Sequence, residues 1–421
     1  MENAGNKKLL ILGSDYNTIN IVKKAHERGL YVIVTDLMAS SPTKDMANEA
    51  WHISTTDIDI LCKKCKENNV AAICSGASDF NVNNMRKLCK LLNLPFYCDD
   101  DYSWLVARNK REFKKLCASV GAPIAKDYFL SSPSNEAELN NVCFPVVLKP
   151  SDKSGNRGMC YCNNIEELIK AYNYAKTLTN DELVIERKLC GEEYNVHYLL
   201  ADGDAQMLYF TSTHHEPGFS ENLYSFKATT SNHYEQFKKE VEPALLNVFK
   251  RAKCKNGIVW VDCIRDQDEH FYLLEMGYRF GGVMTYMPYE KATEFSTIDW
   301  MIDCALGINH TKNDFPNAQD KLQNKCAASY HLFSKCDCTI KSIDNLDKIE
   351  SMPGIFIDFP KRQNNAVISQ SCIGLIGIYA NNVNELCDKL KKINELLRVK
   401  NHEDEDIIIH FDDYNTIRGL Y

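Results

Sequence analysis

A chain of 421 residues, 44% of them hydrophobic and 25% charged, exceeds a single hydrophobic core and predicts two or three globular domains. With 49 basic against 57 acidic residues and a net charge of -8, it is excluded as a general polyanion binder such as a nucleic-acid protein, so any phosphate site must be local. No apolar run is long enough to span a bilayer, and the opening MENAGNKKLLILGSD is too briefly apolar for a signal-peptide core; a cytoplasmic protein without a membrane partner is expected.

In chain order, KKLLILG (7–13) reads as a buried strand, 17–28 as a helix, YVIVTD (31–36) as a strand and VAAICSG (70–76) as another. This alternation predicts a parallel sheet over residues 1–100. It is not a dinucleotide fingerprint, because Asp15 and Thr18 stand where the second and third glycines after Gly13 belong. In SGASDFN, Asp79 follows a strand and is expected to cap a helix, with contact to a substrate from the first domain as the alternative. The eighteen cysteines read as reduced, mostly buried thiols; Cys62 and Cys65 form one CxxC on a helical face with Leu61, and no second pair stands at zinc-ribbon spacing.

Two helices follow, DYSWLVA (101–107) and NKREFKKLCASVG (109–121), the second capped by Asn109 and closed by Gly121. Next come a helix near 165–176, the strand LVIERKL (183–189) and a hairpin over 194–211 turned at Asp202-Gly203. Residues 234–252 have the pattern of one amphipathic helix, and 257–276 that of a second hairpin. The stretch THHEPGFSENLYSF (213–226) reads either as a pocket lining or as a surface loop with His214 and His215 solvated. In the last region, SCIGLIGIY is a strand, Asn382 and Glu385 suggest a capping box, and Leu386, Leu390, Ile393 and Leu397 form a core stripe.

Two stretches carry chemistry. VVLKPSDKSGNRGM (146–159) gathers Lys149, Lys153 and Arg157 around Gly155 and Gly158, an arrangement of cations and flexible backbone amides suited to an anion. In the second hairpin, a turn within Asp266–Glu269 sets Trp260 opposite Glu275 and Asp262 opposite Leu273. Asp262 and Glu275 then share one sheet face as diagonal neighbours. Two carboxylates among apolar residues are costly unless a cation joins them, and Mg2+ takes one or two carboxylates together with substrate phosphates. The alternative is structural, with one acid in solvent and the other against Arg279.

Asn109-Lys110, the KPSDKSGNRGM loop, the EYNV segment after Glu186, and DCIRDQDEHFYLLEMGYRFGG together resemble the ATP-grasp superfamily. The likeness is to carboxylate-amine ligases resembling biotin carboxylase and the carbamoyl-phosphate synthase large chain, over residues 7–310 and more weakly beyond. It implies an α/β fold, α+β in parts. A Rossmann-like pre-ATP-grasp domain would span 1–100, an ATP-grasp domain 101–310 with a lid at 125–190, and a small α/β domain 311–421.

By the same resemblance, Lys110 and Lys149 contact ATP phosphates under a lid loop containing Ser154, Gly155, Arg157 and Gly158. Glu186, Arg187 and Leu189 lie on the adenine-reading strand, and Glu193 matches the ribose-binding acid. Asp262 and Glu275 are the metal ligands, and Arg279 holds the substrate carboxylate or acyl phosphate, acting with Lys149 in catalysis. ATP and one or two Mg2+ ions are implied, with Mn2+ as an alternative. Many members have Asn where this chain has Gly277, which leaves the number of ions open. The implied activity is an ADP-forming, C-N bond-forming ligase joining a small carboxylate to an amine, in a chain compatible with a homodimer. The missing biotin-attachment motif and the chain length oppose the two named relatives' own activities. A kinase releasing a phosphorylated product and a non-catalytic ATP-binding regulator share the motifs; a dehydrogenase needs the missing glycines.

Overall fold

The computed structural model of the chain describes residues 7–14, 16–153, 157–216, 223–282, 285–316, 322 and 325–420. The first sheet is parallel, in the order β3-β2-β1-β4, from β1 (Lys8–Leu12), β2 (Tyr31–Thr35), β3 (Glu49–Trp51) and β4 (Val70–Ser75). Its apolar runs are buried at nearly every position, as strands covered on both faces require. Gly13 leaves β1 at φ 90°, so its glycine serves a backbone turn.

A second, antiparallel sheet has the order β5-β8-β6-β7, from β5 (Asp127–Tyr128), β6 (Val146–Pro150), β7 (Cys160–Cys162) and β8 (Leu183–Arg187). Helix Ile165–Leu178 closes its small core through Leu168, Ala171 and Ala175.

Among the described residues the central sheet has nine strands. β9 (Gly191–Ala201), β10 (Asp204–His215), β11 (Tyr224–Thr229), β12 (Gly257–Asp266), β13 (Phe271–Gly277) and β14 (Cys326–Ser334) take the order β13-β12-β9-β10-β11-β14. Strands Cys372–Ala380 and Ile355–Asp358 continue it, and Ile408–Ile409 also pairs with β14. The hairpin between β9 and β10 turns where expected, with Asp202 and Gly203 at φ 49° and 87°. Strands from beyond residue 311 thus extend the same sheet that carries β12 and β13.

Two local expectations change. The helix expected over 234–252 is two, Tyr234–Glu240 and Glu242–Arg251, because Pro243 has no N-H to continue a helix and starts a new one. The capping box at 382–385 is only half formed: Asn382 accepts the Glu385 N-H at 3.0 Å, while the Glu385 carboxylate bonds the amides of Asn381. The stripe Leu386, Leu390, Ile393 and Leu397 is buried as expected. All eighteen cysteines are free thiols, and among the described residues no helix is long and apolar enough to cross a membrane.

Candidate active site

A cleft of about 1080 Å³ opens between the second sheet and the central sheet, with the end of the first sheet at one side. Its floor is the hairpin β12-β13. Here the expected register is wrong by two residues: Asp262 pairs directly with Glu275, and Trp260 with Gly277. One residue of the shift is set at the turn, where Arg265 pairs with Phe271 rather than His270, and the other by a bulge, Leu274, which adds a residue to β13 between the partners of Asp262 and Cys263. The two acids therefore face each other more closely than diagonal neighbours do.

A third polar side chain lies in the same row. Asn195 on β9 is the partner of Asp262 on its other side, and its Nδ2 donates to Asp262 Oδ1 at 2.6 Å. Glu275 meets the Lys110 ammonium at 2.6 Å. Desolvation pushes Asp262 up to about 6, with Glu275 adding to the rise against the pull of Lys227. For Glu275 burial acts the same way, but Lys110 and then Lys149 outweigh it and hold the acid below the usual range.

This donor set suits a hard divalent cation, since two opposed carboxylates and an amide are all oxygen donors, and a cation between the acids offsets both the burial and the repulsion that raise Asp262. Among the described residues no third carboxylate, histidine or cysteine completes a cluster with them.

The roof carries the cations. Asn109 caps helix Lys110–Ser119 by accepting from the amides of Arg111 and Glu112, which fixes where Lys110 leaves the backbone. Lys110 ties that helix to the anion loop, its N-H donating to Ser151 O at 2.9 Å and its Nζ to Lys153 O at 2.8 Å. Lys149 at the end of β6 meets Glu186 at 2.9 Å, and Lys114, one turn after Lys110, meets the same acid at 2.5 Å. Glu186 is 1% exposed; burial favours its neutral form, yet Lys149 and Lys114 hold its pKa at about 2. Burial keeps Lys114 below the usual lysine range, while for Lys149 burial is outweighed by Glu186 and the charge stays favoured.

Lys153 is paired with Asp152 at 2.5 Å, Arg157 lines the cleft, and Ser154 and Gly155 lie outside the described residues. Gly158 sits at φ 78°, where a Cβ would come 2.9 Å from Pro150 and Leu178, so this position demands glycine. Arg187 and Leu189 reach the rim, Arg187 holding Asp266 at 2.5 Å with its guanidinium over Tyr272. Glu193 lines the cleft and binds His215 at 3.1 Å, which raises the histidine pKa.

Two expectations fail beside it. Asp79 does not cap its helix, a task that falls to Ser78; it forms a bidentate pair with Arg279 at 2.5 and 3.1 Å. With Nη1 on Phe280 O, every nitrogen of Arg279 is engaged, and the guanidinium stacks 5.1 Å over Trp260. Arg279 thus meets neither Asp262 nor Glu275, against the structural alternative. His214 and His215 are not solvated loop residues but the end of β10, held by pairing with β11. Burial lowers His214 to about 4. Lys227 on β11 is half-buried in the cleft and, among the described residues, makes no ion pair; its ammonium lies 4.3 Å from the Tyr224 ring centroid.

Lys114, Asn195 and Lys227 were given no role in the sequence reading, and Trp260 was placed only as the partner of Glu275. Three had a signal: Lys114 is four residues from Lys110 on one helix face, Asn195 two from Glu193 and Trp260 two from Asp262 on strands.

Residues 142–286 match the family model of the ATP-grasp domain. An uncharacterized protein, y4rH of Sinorhizobium fredii, is 24% identical across 73% of this chain, an alignment that spans 63% of its own length, under two thirds. Among solved structures, a biotin carboxylase-βγ-ATP complex from Campylobacter jejuni superposes with a TM-score of 0.78 at 16% identity, covering 98% of this chain and 95% of that one. An L-amino acid ligase from Bacillus licheniformis gives 0.76 at 16% identity, covering 94% and 98%. Residues 142–286 thus carry an ATP-grasp domain, and the chain shares the fold of these solved structures along nearly all of its length.

Proposed function

We propose that the protein is an ATP-dependent ligase that activates a small carboxylate as an acyl phosphate and joins it to an amine, releasing ADP and phosphate. The observation that carries this reading is the convergence on one cleft of Asp262 and Glu275, directly opposed on its floor, and Lys110 and Lys149 on its roof. An acidic chain has little reason to hold four such groups together except a polyanion bound with its cation.

A carboxylate is a poor electrophile, and oxide cannot leave it. Attack of its oxygen on the γ-phosphorus breaks the bond to the β,γ-bridging oxygen, whose electron pair stays with ADP. The amine nitrogen then attacks the acyl carbon, the C-O bond to phosphate breaks, and the amine sheds a proton. Lys149, fixed by Glu186, and Lys110 offset the charge of the phosphates. Mg2+ held by Asp262 and Glu275 would supply further neutralisation of the triphosphate. Glu193 is assigned to the ribose, Arg187 and Leu189 to the adenine rim, and the loop around Gly158 to excluding water from the acyl phosphate. Arg279, locked by Asp79, serves as a wall of the acceptor end, where Lys227 is the cation without an ion-pair partner among the described residues. A homodimer is compatible with this reading.

The test is an ADP-release screen of carboxylates crossed with amines, with mass spectrometry of any active pair. ADP release that requires both partners, with a product lighter by water than their sum, supports the ligase. Undiminished release without amine identifies a phosphotransferase instead, and no release with any pair overturns the reading.

A further inference from the structure

We infer that Asn195 is the third protein ligand of the metal site, supplying from β9 an oxygen that β13 cannot. The inference rests on the proposed function, in that it takes Asp262 and Glu275 to bind a divalent cation beside a triphosphate. Mg2+ demands six oxygens in near-octahedral array, so two carboxylates and the phosphates leave room for another donor or water.

Few side chains of the floor can reach the pair. On β13 the residue next to Glu275 on the same face is Gly277, and it cannot carry a ligand. A Cβ there would fall well inside van der Waals contact with the Trp260 indole, which faces it across the strand pair. Trp260 cannot readily yield, because the Arg279 guanidinium covers it and Asp79 fixes Arg279. On β12 the residue two before Asp262 is Trp260 itself. On β9, Glu193 is committed to His215 at 3.1 Å.

Asn195 remains. It is 7% exposed, lines the cleft, and completes a row of Asn195, Asp262 and Glu275 in register across three adjacent strands. Its Nδ2 is spent on Asp262 at 2.6 Å, which turns the amide so that its Oδ1 is the free end. Among the described residues that oxygen accepts no hydrogen bond. An unused carbonyl acceptor that opens to the cleft beside two carboxylates is suited to a cation.

The test is Mn2+ and Cd2+ binding to the full-length protein saturated with the βγ-imido analogue of ATP, read by calorimetry. Asn195→Leu, which keeps the volume and removes the oxygen, is expected to weaken Mn2+ about tenfold or more. Asn195→Asp should bind Mn2+ at least as tightly as the wild type. Asn195→Cys separates ligation from mere positioning of Asp262, since a thiolate touching the ion should raise the Cd2+ over Mn2+ preference about tenfold. Mn2+ binding by Asn195→Leu within twofold of wild type, or an unchanged metal preference in Asn195→Cys, overturns the inference alone. Failure of the wild type itself to bind Mn2+ with the nucleotide overturns the proposed function as well.

Discussion

Replacing Glu186 by glutamine keeps the shape of the side chain and removes the one negative charge between two buried ammonium groups. Lys114 and Lys149 approach the carboxylate to 2.5 and 2.9 Å, and the acid is 1% exposed. Its pKa falls from the ordinary 4.5 to about 2, a difference of two to three units, which corresponds to about 3 kcal/mol of stability at neutral pH. Breaking a buried ion pair by removing one partner costs roughly 3–5 kcal/mol, the same order. The sign follows from the depressed value. The contribution is present in full above the unfolded pKa and is lost as pH falls through about 4 toward 2. Urea unfolding followed by circular dichroism should therefore place Glu186→Gln about 3 kcal/mol below wild type at pH 7, with the gap closing under acid. Lys114→Met should cost less, because it leaves Lys149 and Glu186 as a one-to-one pair. A Glu186→Gln protein within 1 kcal/mol of wild type at pH 7, or less harmed than Lys114→Met, would refute the reasoning.

Glu275→Ala should leave the fold intact and nearly abolish ADP formation; near-normal turnover in the same assay contradicts its place on the metal. Asp262, with a folded pKa pushed up to about 6, must lose a proton before it can ligate a cation. Mg2+ affinity should thus be flat above pH 7 and fall by about tenfold at pH 5, by calorimetry, and a flat profile across that range counts against Asp262. The metal-free protein should move the other way, this group adding stability as pH drops through about 6. Gly277→Ala should lower stability by roughly 1–3 kcal/mol through overpacking on Trp260, and Trp260→Leu in the same chain should recover most of it. Because Lys110 now holds Glu275, Mg2+ should tighten binding of the βγ-imido nucleotide in wild type and do so less in Lys110→Met; equal tightening in both is evidence against the metal freeing Lys110 from Glu275 for the phosphates.

Where the sequence was informative, local physics decides the structure. The strands β1, β2 and β4 are legible because a parallel sheet covered on both faces must be apolar at every position. Asn109 is legible as a cap because its neighbours alone satisfy it. The break in the helix at 234–252 had a visible cause in Pro243, overridden by an apolar period that continues across it. The register of β12 on β13 was not legible, because the turn sets Arg265 opposite Phe271, one residue from its expected partner, and the extra Leu274 shifts every pair beyond it by one more, with nothing in the strand's composition to mark which residue bulges. His214 and His215 look like loop residues until β11 pairs with them, and Lys227 comes into the cleft by the same pairing. Contacts such as Asp79 with Arg279, 200 residues apart, lie beyond any local pattern.

The same distinction explains how an acidic protein can build a site for a polyanion. Of the cations read from the sequence as ligand-binding, Lys110, Lys149, Arg187 and Arg279 each meet a carboxylate, respectively Glu275, Glu186, Asp266 and Asp79. The four pairings do different things. Glu186 and Asp79 are not metal ligands, so they fix Lys149 and Arg279 in place, at the expense of Arg279's freedom to grip a substrate. Glu275 is different, since in the proposed function it holds the metal and Lys110, which neutralises it, serves the phosphates. A divalent ion arriving there would take over the acid from Lys110 and leave that ammonium for the phosphates, so that metal and nucleotide each favour the binding of the other. The cleft would then gain positive charge where the phosphates lie only when its metal is in place.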